Sequence, residues 1–465
     1  MKTQEQYLYS RPIPVEEGYD VVVAGGGPAG CAAAICAGRL GARVLLVEGL
    51  GCLGGTGTSG LVTEFDPMAN GEQMVVGGLM KEIIETLYER GYVPELLSPS
   101  RWRQEAMKWT PFDAEGLKLL LDELTAQAGV EVRFFTRVVD VDMDESGTRV
   151  QGVVLSNVEG LCCVKAGAFI DCTGDAMLTK LAGFPCLEAG RDTEHIMPST
   201  MCALFSGVDW KKMNSGDIGL PRHQEMVEKA IADGFFSQPD RHVPGLFMNT
   251  GDVGSMNSAH VFHVDALSCR SLSDGMIRGR KLVQEYGEFY RKYFGLDKLH
   301  LVTTAAMLGI RESRRIVGEV VLDYDDYTAR RKFPDQICIF AKAVDIHVYD
   351  CSEEQYRRYY EEYNKVDRYA PGEYYGVPYG VLIPRGSQNL WVAGRCVSTD
   401  VKVQGSLRVQ PAASMMGQAA GVAAVQAVRK HCASTQIDTA ELVETLRAQG
   451  ANLPQEELTH TMTRR

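Results

Sequence analysis

The segment from Tyr19 to Glu48 leaves this chain few folds to choose from. An apolar run (YDVVVAG) is followed by glycines, a small-residue helical stretch (PAGCAAAICAGRLG) and a second apolar run (ARVLLVE). Both outer runs are continuously apolar, as parallel strands covered on both faces are, so the unit reads as strand, helix, strand. Gly25, Gly27 and Gly30 fit G-x-G-x-x-G at the strand-to-helix turn, with Pro28 and Ala29 between the last two. The first glycine permits the tight turn, the second lets a pyrophosphate approach the backbone, and the third lets helix and strand pack closely. The helix start offers unpaired N–H groups and partial positive charge to phosphates. Glu48 ends the second strand, 21 residues after Gly27. A carboxylate there accepts hydrogen bonds from a ribose diol and disfavours the extra phosphate of NADP. The motif specifies a dinucleotide without choosing between NAD and FAD.

Beyond Glu48 a glycine-rich loop (GLGCLGGTGTSG) precedes GGLMKEIIETLYERG and FDAEGLKLLLDELTAQAG, whose apolar residues at three- and four-residue spacing predict helices. VEVRFFTRVVDVDMD, TRVQGVVLSNVEG and LCCVKAGAFIDCTG read as three or four strands. From about 186 to 374 the chain is more polar and less regular, with amphipathic helical stretches near 222–234, 274–294 and 352–365. The buried-strand pattern returns at NLWVAGR, followed by the long small-residue helix VQPAASMMGQAAGVAAVQAVRK. A chain of 465 residues exceeds one ordinary core. The expected fold is α/β: a Rossmann-like domain with a parallel sheet and a β-meander, formed by 1–185 and 375–465, and an inserted α+β substrate domain at 186–374.

Several of these segments carry a family resemblance. GGGPAG with VLLVE, the loop LGGTGTSGLV, DCTGDA, TTAAMLGIRESRRIVGE, the tripeptide DIH and YGVPYGVLIPRGSQNLWVAGRCVSTDVKVQGSLRVQPAASMMGQAAG are the matching stretches. Together they resemble the FAD-dependent oxidoreductases of the glutathione-reductase-like superfamily, distantly similar to succinate dehydrogenase and fumarate reductase flavoproteins. The resemblance covers nearly the whole chain and implies FAD as cofactor, with Glu48 and Gly49 at its ribose end. It further implies that Gly54, Gly55 and Thr56 run along the ribityl chain and flavin, and that Arg137 and Val138 lie against the adenine. Cys172, Thr173 and Gly174 would cover the pyrophosphate side, and Gly394 and Arg395 would approach pyrophosphate and ribityl. Ser406, Arg408, Gln410 and Pro411 would lead into a helix aimed at the flavin, whose reduced form carries negative charge that a helix start stabilises.

Other chemistries lose support. Only Cys52 follows the ribose acid at short distance, so a dithiol exchanging with the flavin is not expected and Cys52 reads as a loop packing residue. The thirteen cysteines form no C-x-x-C pair and no Cys/His cluster of metal-ligand spacing, and read as buried free thiols. No second strand-G-x-G-x-x-G-helix unit follows residue 60, so a docked nicotinamide is not indicated. No covalent attachment motif is visible, so FAD is expected to be held noncovalently. The net charge of −12, with no Lys/Arg run, gives nucleic acid and anionic membranes nothing to hold. No apolar stretch reaches membrane-spanning length, and the first eighteen residues lack a signal-peptide core, which points to a cytoplasmic protein.

Taking hydride from a carbon that bears a hydroxyl or amine needs a base for the other proton and a group that fixes the substrate. His347, in DIH, is the first candidate base, since imidazole titrates near working pH; a histidine capping a strand end is the competing reading. His260 and His263 are runners-up, with Asp265 able to orient either, or they mark a strand at a domain contact. Arg311 could clamp a carboxylate bidentately. The run AAMLGIRESRRIVGE reads as helical, which would put Arg311 and Arg315 on one face with Arg314 offset, or make a salt-bridged helix with Glu312 and Glu319. Tyr374, Tyr375 and Tyr379 could line the pocket or pack the joint. The expected activity is an FAD-dependent dehydrogenation of a small polar organic substrate, with hydride passing to flavin N5 and an unidentified acceptor reoxidising the flavin. An isomerase or lyase without net redox change, or a noncatalytic FAD-binding protein, are the alternatives.

Overall fold

The computed structural model describes residues 7–454 apart from 96, 99, 102–109, 214–220 and 364–367. Strand β1 (Val15–Ala24) leads into helix α1 (Pro28–Arg39) and returns as β2 (Val44–Val47), parallel to β1 with Val21 opposite Val44 and Ala24 opposite Val47. Side chains on a strand alternate between faces. Val21, Val23, Val44 and Leu46 therefore enter one core with α1, while Val22, Ala24, Leu45 and Val47 enter a second core on the other face. This division explains why both runs are apolar throughout.

The two expected helices form as α2 (Gly78–Glu89) and α3 (Ala114–Gln127), the latter capped by Asp113, which accepts from the N–H groups of Glu115 and Gly116. Strand β3 (Glu131–Arg133) adds parallel to β2. Strands β4 (Arg137–Met143), β5 (Val150–Asn157) and β6 (Gly160–Asp171) form the antiparallel meander, and β6 lies parallel to β1. The sheet order is β3-β2-β1-β6-β5-β4, and the short strand Leu390–Val392 joins β6 in parallel at Phe169–Asp171. The first sheet is thus completed by residues more than 200 positions away.

A second, antiparallel sheet is built from β7 (Ser199–Ser206), β8 (Leu246–Thr250), β9 (Val253–Val261) and β10 (His300–Thr304), in the order β8-β9-β7-β10. Helix α4 (Cys269–Phe294) buries Leu282, Val283, Tyr286 and Phe289 in a core that also holds Met201, Phe205 and Val261. The strand Gln336–Phe340 pairs with Tyr375–Pro378 and shares the core of the first sheet. Among the described residues no helix is long and apolar enough to cross a membrane.

One expected element is absent. The run 305–319 is not helical: Ala305 N–H bonds Cys202 O, Gly309 exchanges hydrogen bonds with Thr200, and Arg314–Ile316 pairs with Cys186–Glu188. Its backbone groups are satisfied by neighbouring strands, so tertiary pairing overrides the helical spacing of its apolar residues.

Helix α5 (Val401–Leu407) leads directly to α6 (Gln410–Lys430), which crosses α1 at close range. A Cβ at Gly417 or Gly421 would stand 2.0 or 2.3 Å from the carbonyl oxygens of Ala29 and Ala33, so only glycine permits the approach.

Candidate active site

The candidate cofactor cradle is mostly backbone. Helix α1 begins at Gly27 with no side-chain cap, and the space where a Gly27 Cβ would point is open to 4 Å, so the N–H groups of the first turn, including those of Ala29 and Gly30, are not capped from Gly27. Gly30 is essential to the turn itself: a Cβ there would lie 1.7 Å from the carbonyl oxygen of Gly25. The Glu48 carboxylate accepts from the N–H groups of Gly26 (2.7 Å) and Leu50 (2.8 Å), which holds it at the end of β2. Gly54 N–H bonds Gly26 O, and Gly55 lies against Gly27. The Arg137 side chain lies over Gly49, with Val138 half-buried beside the meander core.

On the opposite side, Cys172 is buried and its N–H bonds Ala24 O; Thr173 donates to Asp171 (2.7 Å). Arg395 donates to Asp175 (2.7 Å), beside Gly174, and leaves its buried Nη1 without a partner; Gly394 packs against Ala29. Helix α6 also starts without a side-chain cap, with Pro411 in its first turn. Gln410 donates to Val62 O (2.7 Å) while its buried Oε1 has no partner. Two uncapped helix starts, an acid at a strand end, an open glycine turn and unpartnered buried polar atoms fit a dinucleotide.

A cavity of about 290 Å³ adjoins this cradle, and Thr56, Arg408 and Gln410 belong to its wall. The ionisable part of the remaining wall includes Glu64, Asp66, His242, Arg311, Lys342, Asp345 and His347, from distant segments. His347 Nε2 stands 3.2 Å from Asp345 Oδ1, and the other Asp345 oxygen accepts from Arg408 (3.2 Å). Lys342 pairs with Asp66. Arg311 donates to Pro198 O (2.6 Å), Thr200 Oγ1 (2.7 Å) and His260 Nε2 (3.2 Å). Behind it, His260 Nδ1 meets Asp240 Oδ2 at 2.6 Å.

Burial dominates the electrostatics. It holds the His347 imidazolium well below the usual histidine range, with nearby Arg311 adding to the effect. Burial lowers His242 to about 4. Burial and Arg408 lower Arg311 to about 10, which leaves it cationic at neutral pH. Burial opposes ionisation of Asp345, but His347, Lys342 and Arg408 together hold it well below the carboxylate range. Glu64 lacks such cations; burial pushes it up to about 8 even though Ser255 donates to it. At neutral pH the cavity thus faces neutral imidazole, a protonated carboxylic acid and a guanidinium.

The structure brings His347, Arg311 and Arg408 to one cavity, with His260 directly behind Arg311. It separates other candidates. His263 is exposed outside the cavity, and Asp265 orients neither histidine: its carboxylate accepts from Leu267 N–H, and Asp240 takes the role at His260. Arg314 and Arg315 pair with Glu188 and Asp192, away from the cavity, because the segment is extended rather than helical. Tyr374, Tyr375 and Tyr379 are buried packing residues; Tyr375 shares a hydrogen bond with Ser406, and Tyr379 accepts from Trp391 and donates to Ser434 O. All thirteen cysteines are free, and Cys52 lies beside Ser59. Glu64, Asp66, Asp240, His242 and Lys342 escaped the sequence reading, and no motif marks them. Asp345 had a signal, being the acid of DIH.

The family model of FAD dependent oxidoreductases matches residues 20–446, and the chain belongs to that family. FAD is its cofactor. Dihydrolipoyl dehydrogenase of Trypanosoma brucei brucei is 51% identical over 49 residues, so the match covers only 10% of this chain and 10% of that relative. A geranylgeranyl bacteriochlorophyll reductase-like protein from Thermoplasma acidophilum is 13% identical, with 93% of this chain and 83% of that chain covered and a TM-score of 0.45. The flavin-dependent brominase Bmp2 is 14% identical over 93% of this chain and 83% of that one (TM-score 0.46). L-proline dehydrogenase from P. horikoshii is 12% identical over 94% and 99% (TM-score 0.42).

Proposed function

We propose that this enzyme is a dehydrogenase of small organic acids, oxidising a carbon that bears a hydroxyl or amine next to a carboxylate. One observation carries the reading. Arg408, Lys342 and Arg395 each face an aspartate, whereas Arg311, buried on the cavity wall, has two oxygens and an imidazole as partners and no carboxylate among the described residues. A buried cation without a carboxylate in direct contact is costly, and a substrate carboxylate would supply one. Arg311 then binds and orients the acid.

His347 takes the hydroxyl or amine proton. Asp345, held ionised, accepts from Nε2–H and leaves the Nδ1 lone pair as the basic site. Gly25–Gly30, Glu48, Gly54–Thr56, Arg395 and the start of α6 would hold FAD noncovalently, and it would supply hydride acceptance at N5. A separate acceptor would take the electrons in turn. We also propose that 1–185 with 375–465 form the FAD domain, that 186–374 form the substrate domain, and that the glutathione-reductase-like superfamily is the wider group.

The test is an anaerobic screen of the FAD-loaded enzyme with 2-hydroxy and 2-amino acids and with the corresponding uncharged alcohols. Bleaching of the flavin band near ~450 nm by acids and not by alcohols is expected; bleaching by alcohols alone would overturn the assignment. A second reading rests on Glu64, whose protonated carboxyl shares the cavity with neutral His347. Such an acid and base pair suits an isomerase or lyase without net redox change. Turnover with no acceptor present would favour it.

A further inference from the structure

We propose that His260 is a positioning residue, locked by Asp240 in the neutral Nδ1–H form so that its Nε2 lone pair holds Arg311 without cancelling the arginine's charge. The argument begins with donor chemistry. A guanidinium only donates, so the 3.2 Å contact between Arg311 Nη2 and His260 Nε2 requires a lone pair on Nε2. The ring proton is then on Nδ1, where it is donated to Asp240 Oδ2 at 2.6 Å. Asp240 is suited to receive it. Its other oxygen accepts from Tyr356 Oη (2.5 Å) and from the N–H of His242 (2.8 Å), so three donors satisfy a carboxylate that is fully buried. His260 and Asp240 are both 0% exposed, so neither touches a guest in the cavity; they act through Arg311.

The choice of partner has a consequence for selectivity. Arg408, Lys342 and Arg395 are each oriented by an aspartate, which also neutralises them. An imidazole orients a guanidinium through one lone pair and carries no charge of its own. Arg311 is therefore fixed in direction by Pro198 O, Thr200 Oγ1 and His260 with no carboxylate in direct contact, which leaves its donors' charge open to an anion. The same bonds bear on a second possibility. His242, His260 and His347 bring ligand-capable atoms within 4.8 Å of one another. Both ring nitrogens of His260 are already engaged, one by a cation, and a metal would have to displace Arg311.

The identity of the anion rests on the proposed function; the tautomer does not. Two experiments separate them. In FAD-loaded enzyme labelled with 15N-histidine, long-range proton–nitrogen correlation, assigned by the signal lost in His260→Gln, is expected to show His260 neutral with Nδ1–H at about pH 7.5. An Nε2–H form, a doubly protonated ring or a metal-shifted signal would overturn the proposal.

Asp240→Asn places an amide N–H opposite Nδ1 and is expected to flip the proton to Nε2, facing the guanidinium with a donor. With L-lactate as the probe, followed by the flavin absorbance change, its dissociation constant should rise about 10- to 100-fold at unchanged FAD content. His260→Gln keeps an acceptor for Arg311 and a donor for Asp240 and should bind within about 3-fold of wild type, while His260→Leu should not. Equal weakening in His260→Gln and His260→Leu would show a merely structural role. If the tautomer is as assigned and wild type ignores lactate, the substrate reading fails and the positioning role stands.

Discussion

The proposed cofactor cradle and the cavity beside it adjoin each other, yet they are built by opposite means. The cradle is backbone: glycine turns, two helix starts and one strand-end acid, with Gly25 to Glu48 inside a single continuous segment. The cavity is side chain: Glu64, His242, Arg311, Lys342 and His347 come from four separate segments and are buried or half-buried. A backbone site tolerates no added atom but needs no particular functional group. A side-chain site tolerates changes in shape but not in protonation. Substitutions should therefore fail in different ways in the two regions.

The largest effect is expected in the cradle. In Gly30→Val the added Cβ would collide with the Gly25 carbonyl, and purified protein should retain almost no FAD, read as the ratio of flavin to protein absorbance. Next is the proposed base. His347→Ala should lower turnover about 10²- to 10⁴-fold with full FAD occupancy; loss of FAD in this variant would erase the distinction between the regions. Arg311→Met should follow, with kcat/KM for an acid substrate falling about 10- to 100-fold, chiefly through KM, and little change for uncharged alcohols.

A smaller effect concerns stability. The Glu64 carboxyl, pushed up to about 8 by burial from an ordinary value of 4.5, keeps a proton in the folded protein that the unfolded chain has released. Its contribution is fully present below about 4.5 and is lost as pH rises toward 8. Glu64→Gln does not titrate, so its melting temperature relative to wild type should climb by a few degrees between about pH 5 and pH 8. A difference independent of pH would mean that Glu64 is ionised in the fold. The smallest effect is at Cys52. With no second thiol bonded to it, Cys52→Ala should leave FAD content and turnover within about 2-fold of wild type.

Legibility followed the same division. Gly25, Gly27, Gly30 and Glu48 could be read because their task is local, fixed by a turn and by strand length. His347 and Arg311 were named from a tripeptide and a residue type, but nothing in the sequence joined them. The run 305–319 misled because its apolar spacing suits a helix while its hydrogen-bonding partners lie far away in sequence, among them β7 for 305–309 and Cys186–Glu188 for Arg314–Ile316. Asp265 was the near neighbour of His260 and His263 in sequence, whereas the neighbour in space is Asp240, on the loop before β8. Tyr375 and Tyr379 could be read as pocket or as packing residues, and they are buried against Ser406 and Trp391.

By itself the sequence determined the dinucleotide turn and the continuously apolar parallel strands, because each depends on residues close together in the chain. Only the tertiary structure decided which acid faces which base. The lone pair of His260, the free charge of Arg311 and the retained proton of Glu64 are set by burial and by partners brought in from elsewhere, and hydrogen-bond complementarity across such distances leaves no periodic trace in the chain.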